Sequence, residues 1–418
     1  MKILLVTNKF PPNAHGGWEI SAGVIAKILV GLGHQVVVAT SKHRLGPWQD
    51  LPEVKVVFTF SPLPWHDEGE ISRALRSARR RPRLFQAMTG SVPEHDTALA
   101  RLIAAERPEL ILVEGFTRIG PLGIMHTCLS SGVPTLFHFQ DQLDPEIHNY
   151  ATRERELEIF RQIKTQACAI FISQLCAKYS RLVGTYAVSI VEPSYGPAAF
   201  SPAPAFHAYA PDQVLRAFHA GTLCPDKGTG IAVEGFVEAE RQFPGRMRLQ
   251  LIGHGAKEYV KKLLRPGVEA PGAMDRANLL EVMTNCHVAV LPLRADEPMG
   301  LVSVEAVRAG CVSLIGANAG SKDVTRPFHN YIPLYSRTSS EVARWLEKIM
   351  RAPQDFRALA AHAWQGDGIP TPEPFTRKLL EHRNHIPAPD PAVLGQIRTQ
   401  LDALALAPID RPSTLFHF

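Results

Sequence analysis

The chain has 418 residues, of which 45% are hydrophobic and 20% are charged, and its formal net charge is +5. This ordinary composition excludes wholesale disorder and fibrous repeats, and the length predicts about two to three domains. Six scattered cysteines without a Cys-x-x-Cys pair indicate neither a disulfide framework nor a structural metal, which is typical of a reducing compartment. The opening MKILLVTNKF is too short an apolar run for a signal peptide, and no apolar stretch reaches the roughly 18 residues of a membrane span.

Short apolar runs alternate with amphipathic stretches in the first half of the chain. Residues 3–6 predict a strand, and residues 18–33 predict a helix that ends at Gly33. The apolar residues that share one face of this helix are Ile20, Val24, Ile28 and Leu32. Further strands are predicted at residues 36–39, 55–58, 110–113, 135–139 and 169–172. This alternation predicts a parallel sheet with right-handed crossovers.

A proline-rich stretch of little charge, residues 193–211, predicts a linker. The alternation then restarts, with strands predicted at residues 214–220, 247–252, 288–293 and 312–315. Helices are predicted at residues 229–243, 301–309 and 341–350, and weaker helical signals follow at 375–385 and 393–406. We therefore predict an N-terminal Rossmann-like domain at residues 1–200, a second one at 201–370, and a segment at 371–418 that packs back on the first domain.

This organisation predicts where ligands bind. Open parallel sheets bind ligands at the carboxyl ends of their strands. Two α/β domains with parallel sheets that face each other form a central cleft, and clefts between domains are preferred ligand sites. The loops after the strands are therefore the places to look for functional residues.

Two glutamates, Glu297 and Glu305, bracket a loop-to-helix transition after the predicted strand at residues 288–293. Gly300 allows close backbone approach, and free N–H groups at Gly300 and Leu301 would form an anion site at the helix N-terminus. Glu305 lies about one turn into the helix, where its carboxylate can reach a sugar diol. Taken alone, a solvated cap and a surface glutamate explain the pair equally well.

A lysine and several glycines mark other strand ends. Lys227 precedes Gly228 at the start of a predicted helix, which suits a phosphate anchor, although a solvated turn lysine is the commoner explanation. Gly16 and Gly17 lie in the first strand-to-helix turn, where backbone N–H groups can face a phosphate. Gly253 belongs to a Gly-x-Gly that does not complete a dinucleotide fingerprint.

In this order the segments resemble retaining glycosyltransferases of the GT-B fold, specifically glycosyltransferase family 4. The segments that carry the resemblance are FPPNAHGGWEISAGVIAKILVGLGHQVVVAT, AGTLCPDKG, the IGHG that ends at Gly255, and the Glu-x7-Glu signature at Glu297 and Glu305. The resemblance extends over both predicted domains, up to residue 350. It implies a donor that is bound mainly by the second domain and an acceptor that is held by the first.

The resemblance implies a nucleotide-diphosphate sugar as substrate, without a cofactor and without a metal. Lys227 and the helix N-terminus at Gly300 and Leu301 would hold the diphosphate. Glu305 would accept hydrogen bonds from the ribose, and Glu297 would contact the donor sugar. The other donor-binding candidates are Gly16, Gly17, Thr222 and Gly253. Retention is explained in this family by front-face attack, in which the leaving phosphate helps to take the acceptor proton, so that catalysis is mostly positioning and charge stabilisation.

Two positions depart from the family pattern. Thr222 stands where an arginine that contacts the diphosphate is expected, and Arg294 and Lys322 are the candidates to replace it. In the first domain, a glutamine stands at position 140, where a histidine that faces the donor sugar is expected.

The departure at Gln140 leaves the catalytic role in the first domain open. Asp141 follows it as the family pattern requires, and His138 lies two residues earlier on the same face of the strand. His138 and Asp141 are therefore the catalytic candidates, and the amide of Gln140 is the alternative. A buried core histidine explains His138 equally well.

Arginines crowd one stretch of the first domain. They are Arg73, Arg76, Arg79, Arg80, Arg81 and Arg83. A basic patch with apolar neighbours suits an anionic membrane surface or a phosphorylated acceptor, and a solvated helix face explains it equally well. We expect a cytoplasmic protein, with peripheral membrane contact left open and no specific nucleic-acid partner.

The predicted function is transfer of a hexose from a nucleotide sugar to an unidentified acceptor, which is a glycan, a lipid-linked molecule or a small molecule. An epimerase or a phosphorylase of the same fold is disfavoured by the Glu-x7-Glu signature and by the lack of a pyridoxal-phosphate lysine motif. The alternative that stays open is a catalytically retired sugar-nucleotide-binding partner subunit, because Thr222 and Gln140 depart from the pattern.

Overall fold

The chain divides into two compact units. The computed structural model describes residues 1–12, 17–42, 52–61, 90–117, 119–140, 154–193, 209–210, 212–356 and 371–406. The first unit comprises Met1–Glu192 and Pro372–Phe418, and the second comprises Pro193–Thr371. The domain boundaries expected from the sequence, after residues 200 and 370, lie near these two division points.

Within the described residues, the first unit contains a sheet of seven parallel strands in the order β3-β2-β1-β4-β5-β6-β7. The strands are β1 (Lys2–Val6), β2 (Gln35–Ser41), β3 (Lys55–Phe60), β4 (Leu110–Glu114), β5 (Thr135–Phe139), β6 (Cys168–Phe171) and β7 (Val188–Val191). All residues of β4 and β5 are buried, as expected for strands covered on both faces. The order reverses between β1 and β4, which is the switch point where such sheets bind ligands.

The helices of this part of the chain are α1 (Gly17–Gly31), α2 (Pro93–Glu106), α3 (Pro121–Ser130), α4 (Glu154–Lys164) and α5 (Gln174–Tyr179). Helix α1 buries a different face from the one that the sequence indicated. Its fully buried apolar residues are Ala22, Ile25, Ala26 and Leu29, whereas Ile20 is 37% exposed. Because α1 carries apolar residues on both of these faces, the sequence pattern alone does not select the buried one.

The second unit has the same doubly wound plan. Its described residues form six parallel strands in the order β10-β9-β8-β11-β12-β13, with the switch point between β8 and β11. The strands are β8 (Leu215–Ala220), β9 (Met247–Ile252), β10 (Val268–Gly272), β11 (Val288–Leu291), β12 (Val312–Gly316) and β13 (Tyr331–Leu334). The helices are α6 (Thr229–Glu240), α7 (Lys257–Leu263), α8 (Arg276–Asn285), α9 (Leu301–Arg308), α10 (Lys322–Thr325) and α11 (Ser339–Arg351).

Apolar cores cover both faces of the second sheet. On one face, Phe236 of α6 and Leu346 of α11 pack against the strands. On the other face, Met283 of α8 and Val307 of α9 do so. The predicted α/β architecture of two Rossmann-like parallel sheets is therefore confirmed.

The C-terminal helices are part of the first unit. They are α12 (Pro372–Glu381), a 3₁₀ turn (His382–His385) and α13 (Pro391–Leu406). Helix α12 packs on α1, and α13 packs on α3 and α4. Glu192, the last residue before the chain enters the second unit, accepts a hydrogen bond from Lys378 at 2.9 Å and pairs with His382 at 3.3 Å. The outgoing and returning segments are thus tied together within the first unit.

Candidate functional site

The loops that follow β8 and β11 meet at the switch point of the second sheet. The carbonyl of Asp226 accepts hydrogen bonds from the backbone N–H groups of Arg294 at 2.9 Å and Ala295 at 3.0 Å. Gly228 has a φ of +74°, and a Cβ there would overlap the carbonyl of Pro292. Only glycine therefore allows the loop between β8 and α6 to lie this close to the end of β11.

This close approach pairs Lys227 with Glu297, which the sequence predicted for the diphosphate and the sugar of a donor. Lys227 Nζ donates a short hydrogen bond to Glu297 Oε2. The two side chains are 36% and 20% exposed. Because the pair lies at the surface, an incoming anion can compete with Glu297 for the ammonium group.

The backbone around Glu297 is fixed by the loop that follows β12. The N–H of Glu297 donates to the carbonyl of Asn318 at 3.3 Å, and the carbonyl of Glu297 accepts from Gly320 at 2.8 Å. The N–H of Ser321 donates to the carbonyl of Met299 at 2.8 Å. These bonds fix the backbone of the loop on both sides of Glu297, and its side chain extends from there to Lys227.

The N-terminus of α9 opens beside this pair. Gly300 is its N-cap, with a φ of 77°, and no side chain caps the helix. The N–H of Ser303 donates to the carbonyl of Gly300 at 2.9 Å, whereas those of Gly300, Leu301 and Val302 donate to no group in the described part of the chain. These free donors and the positive end of the helix dipole suit an anion, as the sequence predicted for Gly300 and Leu301.

Glu305 lies inside the protein, where Arg276 holds it. Its side chain is 3% exposed, and Oε1 lies 2.5 Å from Nη2 of Arg276. The contact is an ion pair without the angles of a hydrogen bond, so Oε1 has no aligned donor among the described residues. Burial raises the pKa of Glu305, and the charge of Arg276 opposes that shift. The sequence prediction missed Arg276, because its position at the start of α8 shows no link to Glu305.

His219 ties together the elements that carry Lys227 and the end of β11. Its Nδ1 donates to the carbonyl of Val290 at 2.8 Å, and Nε2 lies 3.1 Å from Oγ1 of Thr229 at the start of α6. Burial is the main cause that lowers the pKa of His219 to about 4, and the nearby charge of Lys227 adds to it. The ring is therefore neutral at physiological pH, and its two nitrogen contacts join β11 to the start of α6.

The remaining donor-binding candidates in this unit have different environments. Thr222 is exposed in the loop after β8. A Cβ on Gly253 would overlap the carbonyl of Gly221, and the N–H of Leu223 donates to the carbonyl of His254 at 2.7 Å. Gly253 thus allows the loops after β8 and β9 to pack closely against each other.

Lys322 and Arg294, the two candidates to replace the arginine missing at Thr222, differ in the contacts that their side chains make. Lys322 Nζ donates to the carbonyl of Ala317 at 3.3 Å. Arg294 is exposed, and its side chain makes no hydrogen bond or ion pair with the described residues. Arg337 Nη1 donates to the carbonyl of Arg294 at 3.1 Å and fixes the backbone there. Arg294 is therefore the better placed of the two to reach an anion.

A polar cluster marks the switch point of the first sheet. His138 Nδ1 donates to Oε1 of the buried Glu114 at 2.9 Å, and Gln140 Nε2 donates to Oε2 at 2.9 Å and to Ser21 Oγ at 3.1 Å. The His138 side chain is 1% exposed and packs on Phe375 of α12, with ring centroids 5.4 Å apart. The structure places His138 in the core, and the amide of Gln140 lies nearer the surface.

Some of the predicted residues fall outside the described part of the chain. Gly16, Asp141 and the arginines at positions 73, 76, 79, 80, 81 and 83 lie outside the described residues, whereas Gly17 begins α1. Among the residues that are described, no cluster of three or more His, Cys, Asp or Glu side chains could hold a metal ion. No helix in the same residues is long and apolar enough to cross a membrane.

The second unit matches a known family. Residues 215–352 match the family model described as glycosyl transferases group 1. No curated protein matches the sequence. The matched residues include Lys227, Glu297, Glu305 and Arg276, so the match covers the whole of the site described in this unit.

Solved structures of similar architecture span nearly the entire chain. HepE of Anabaena in complex with UDP and glucose has a TM-score of 0.64 and 18% identity, over 92% of this chain and 100% of that chain. Sucrose-phosphate synthase of Thermosynechococcus elongatus has a TM-score of 0.63 and 18% identity, over 96% and 99%. WaaG, a glycosyltransferase involved in lipopolysaccharide biosynthesis, has a TM-score of 0.62 and 14% identity, over 90% and 99%. The chain therefore has the GT-B fold that the sequence predicted.

Proposed function

We propose that this protein is a retaining glycosyltransferase of family 4, which moves a hexose from a nucleotide-diphosphate sugar to an acceptor. The observation that carries the proposal is the Lys227–Glu297 pair beside the uncapped N-terminus of α9, at the switch point of the second sheet. A cation and free backbone N–H groups lie together at the carboxyl ends of these strands, where they complement the negative charge of a diphosphate. The family match of residues 215–352 supports the same conclusion.

In the proposed complex, the diphosphate takes Lys227 from Glu297. The ammonium group and the N–H groups of Gly300, Leu301 and Val302 then stabilise the charge that develops on the leaving group. The released carboxylate of Glu297 turns to the hydroxyls of the donor sugar. Binding and the arrangement of Glu297 are thus one event, which orders the site only when a donor is present.

The ribose is proposed to bind Glu305, and Arg276 is proposed to regulate that contact. Because Glu305 is buried and paired, it accepts ribose hydroxyls only when Arg276 moves aside or shares the carboxylate. Because departure of Arg276 alone would leave the buried carboxylate of Glu305 unpaired, Arg276 moves into solvent only as the ribose hydroxyls take its place. The hydroxyls would supply the aligned donors that Oε1 lacks.

The finer features of the proposal rest on the same residues. Leaving-group stabilisation by Lys227, Arg294 and the α9 N-terminus supports a mechanism without a metal, and retention follows from the front-face attack of the family that the chain resembles. A fully active enzyme in EDTA is expected. Complete loss of activity in EDTA, restored by Mn²⁺ or Mg²⁺, would contradict the metal-independent mechanism.

The acceptor is proposed to bind the first unit. His138 acts there as a positioning residue, since it holds Glu114 and thereby Gln140. The arginines at positions 73–83 are proposed to contact an anionic acceptor or an anionic membrane surface, with the protein in the cytoplasm. Binding to anionic vesicles that falls steeply with salt would support the membrane surface.

The decisive experiment is a calorimetric titration with UDP-, GDP- and ADP-sugars, followed by product analysis for the donor that binds. UDP-glucose is tested first, because one similar structure, HepE, was solved with it. Wild-type protein should bind one donor, and Lys227→Met should weaken its binding at least about tenfold, the low end for a charge-assisted hydrogen bond. Binding without hydrolysis or transfer would favour the alternative, a retired sugar-nucleotide-binding subunit. No binding of any nucleotide sugar would refute both.

A further inference from the structure

A cavity of about 710 Å³ lies under α8, away from the proposed donor site. Side chains of β8, β9 and β10 line it on one side, and α8 lines it on the other. The apolar cover on this face of the sheet, which includes Phe218 and Ile252, lies nearer the carboxyl ends of the strands. Arg216 in the cavity is about 16 Å along the strand from Gly221 at the carboxyl edge, at roughly 3.3 Å per residue. The cavity is therefore separate from the proposed donor site at the carboxyl ends of the strands.

Two exposed arginines stand side by side at the open side of this cavity. Arg216 of β8 and Arg248 of β9 are register partners, so their side chains leave the same face of the sheet about 4.8 Å apart. Arg216 Nε donates to the carbonyl of Asn285 at 2.6 Å, and Arg248 Nη1 donates to that of Met247 at 2.9 Å. In the described part of the chain, neither guanidinium pairs with a carboxylate. Like charges placed opposite each other destabilise a sheet, so an anion between them would be favoured.

The rest of the lining suits a molecule that carries hydroxyl groups. Glu269 of β10 lies beside Gln250 of β9 in the register, and Asn278 and Glu281 face them from α8. Carboxylates accept hydrogen bonds from hydroxyl groups, and amides both donate and accept. Val282 adds an apolar wall. The volume is within the range of about 300–1,000 Å³ that small-molecule sites occupy.

We propose that this cavity is a binding site for a small phosphorylated polyol, such as a sugar phosphate. Its phosphoryl group lies between Arg216 and Arg248, and its hydroxyl groups contact Glu269, Gln250 and Asn278. The planar guanidinium group of arginine matches the geometry of phosphate oxygens. The lining of the cavity changes from basic at β8 and β9 to acidic at β10. The site does not depend on the proposed transferase activity.

The test is a calorimetric titration of the whole protein with glucose 6-phosphate, inorganic phosphate and glucose as probes. Glucose 6-phosphate should bind saturably, phosphate more weakly, and glucose not detectably. The double variant Arg216→Gln with Arg248→Gln should lose at least about tenfold in affinity, because each arginine supplies a charge-assisted hydrogen bond. Arg241→Gln is the matched control, because Arg241 is exposed at the end of α6 on the other face of the sheet.

Two arms separate the cavity from the donor site, where a phosphoryl group also binds under the proposed function. Lys227→Met and saturating UDP should both leave the affinity for glucose 6-phosphate unchanged. Loss of binding in either arm, unaltered affinity in the arginine variant, or no saturable binding to wild type would overturn the proposal. If the double variant does not fold, Arg248→Gln alone serves, since it removes a like-charge contact and should not destabilise the sheet.

Discussion

Glu297 and Glu305 belong to one sequence signature, but different surroundings hold them. Glu297 is partly exposed and shares a short hydrogen bond with Lys227. Glu305 is buried, and its cation comes from α8. Because the two ion pairs differ in burial and in partner, substitution of each glutamate should have a distinct effect.

We predict that Glu297→Gln binds the free nucleoside diphosphate more tightly and turns over more slowly. The substitution releases Lys227 from its carboxylate, and an exposed pair of this kind contributes up to about 1 kcal/mol, or roughly fivefold in affinity. The lost carboxylate no longer orients the sugar, so kcat should fall. Calorimetry with UDP, GDP and ADP beside a turnover assay measures both effects. Glu258→Gln on α7 is the control, and weaker nucleotide binding by Glu297→Gln would contradict the ion-pair competition.

We predict that Glu305→Gln stabilises the fold at pH 7.5 but weakens nucleotide binding. Burial raises the pKa of Glu305 above its ordinary value of 4.5. A raised carboxyl pKa gives stability that is present below the unfolded value and is lost as pH rises through the folded value. Glutamine removes this loss, and Arg276 is exposed enough to return to solvent, so the variant should be more stable at pH 7.5, by about 1.4 kcal/mol for each unit by which the pKa of Glu305 is raised.

The pH dependence supplies the check on this prediction. Below pH 4.5, Glu305 is protonated in both states, so wild type and Glu305→Gln should have similar urea midpoints there. Urea unfolding at pH 4 and pH 7.5 measures the difference. If the variant is less stable than wild type at pH 7.5, the ion pair with Arg276 stabilises the fold by more than the burial of the Glu305 charge destabilises it.

The elements β8, β11 and α6 depend on one neutral histidine. His219 has a pKa lowered from 6.5 to about 4, so between these values the unfolded chain takes up a proton that the folded protein does not. Stability should therefore fall as pH drops from 6.5 to 4 and change little below 4 on this account. His219→Gln should flatten that slope and cost about 1–3 kcal/mol at pH 7.5, because buried hydrogen bonds are lost.

Urea unfolding between pH 4 and pH 7.5 tests this prediction for His219→Gln. His254→Gln is the matched control, because His254 is exposed in the same unit. If the stability of His219→Gln falls with pH as steeply as that of wild type and of His254→Gln, other groups cause the acid sensitivity.

Several elements with continuous apolar patterns were predicted from the sequence, but others were not, among them β7 and the helices α3, α4, α5, α7, α8 and α10. The predicted strands at residues 135–139 and 247–252 have the observed bounds of β5 and β9. Strands β10 (VEAPG) and β13 (YIPL) were missed, because a glutamate or a proline interrupts their short apolar pattern. Helix α2 was missed as well, since it buries His95 and Asp96, which a pattern search counts as polar.

The candidate site was predictable to the extent that its residues follow strands. Lys227, Glu297 and the N-terminus of α9 lie together because β8 and β11 are neighbours at the switch point. The partner of Glu305 was not predictable, because Arg276 reaches it from another helix. The burial of His138 was left open, since it depends on contacts from distant parts of the sequence, among them Glu114 of β4 and Phe375 of α12.

At the scale of the whole molecule, the chain leaves the first unit after Glu192 and returns to it at Pro372. The first unit therefore depends on residues from both ends of the sequence. Ile397 of α13 is fully buried, and α13 packs on α3 and α4. Removal of this segment should therefore damage the first unit and leave the core of the second intact.

We predict that Ile397→Ala destabilises the first unit alone, by about 2–5 kcal/mol, the range for a buried isoleucine cut to alanine. Native-state hydrogen exchange should then become faster in α3 and α4 and stay unchanged in α6 and α11. Leu346→Ala is the matched variant, because Leu346 is fully buried in α11 of the second unit, and it should give the reverse pattern. Equal acceleration of exchange in both units by either variant would show that they unfold as one cooperative body, against the division into two cores.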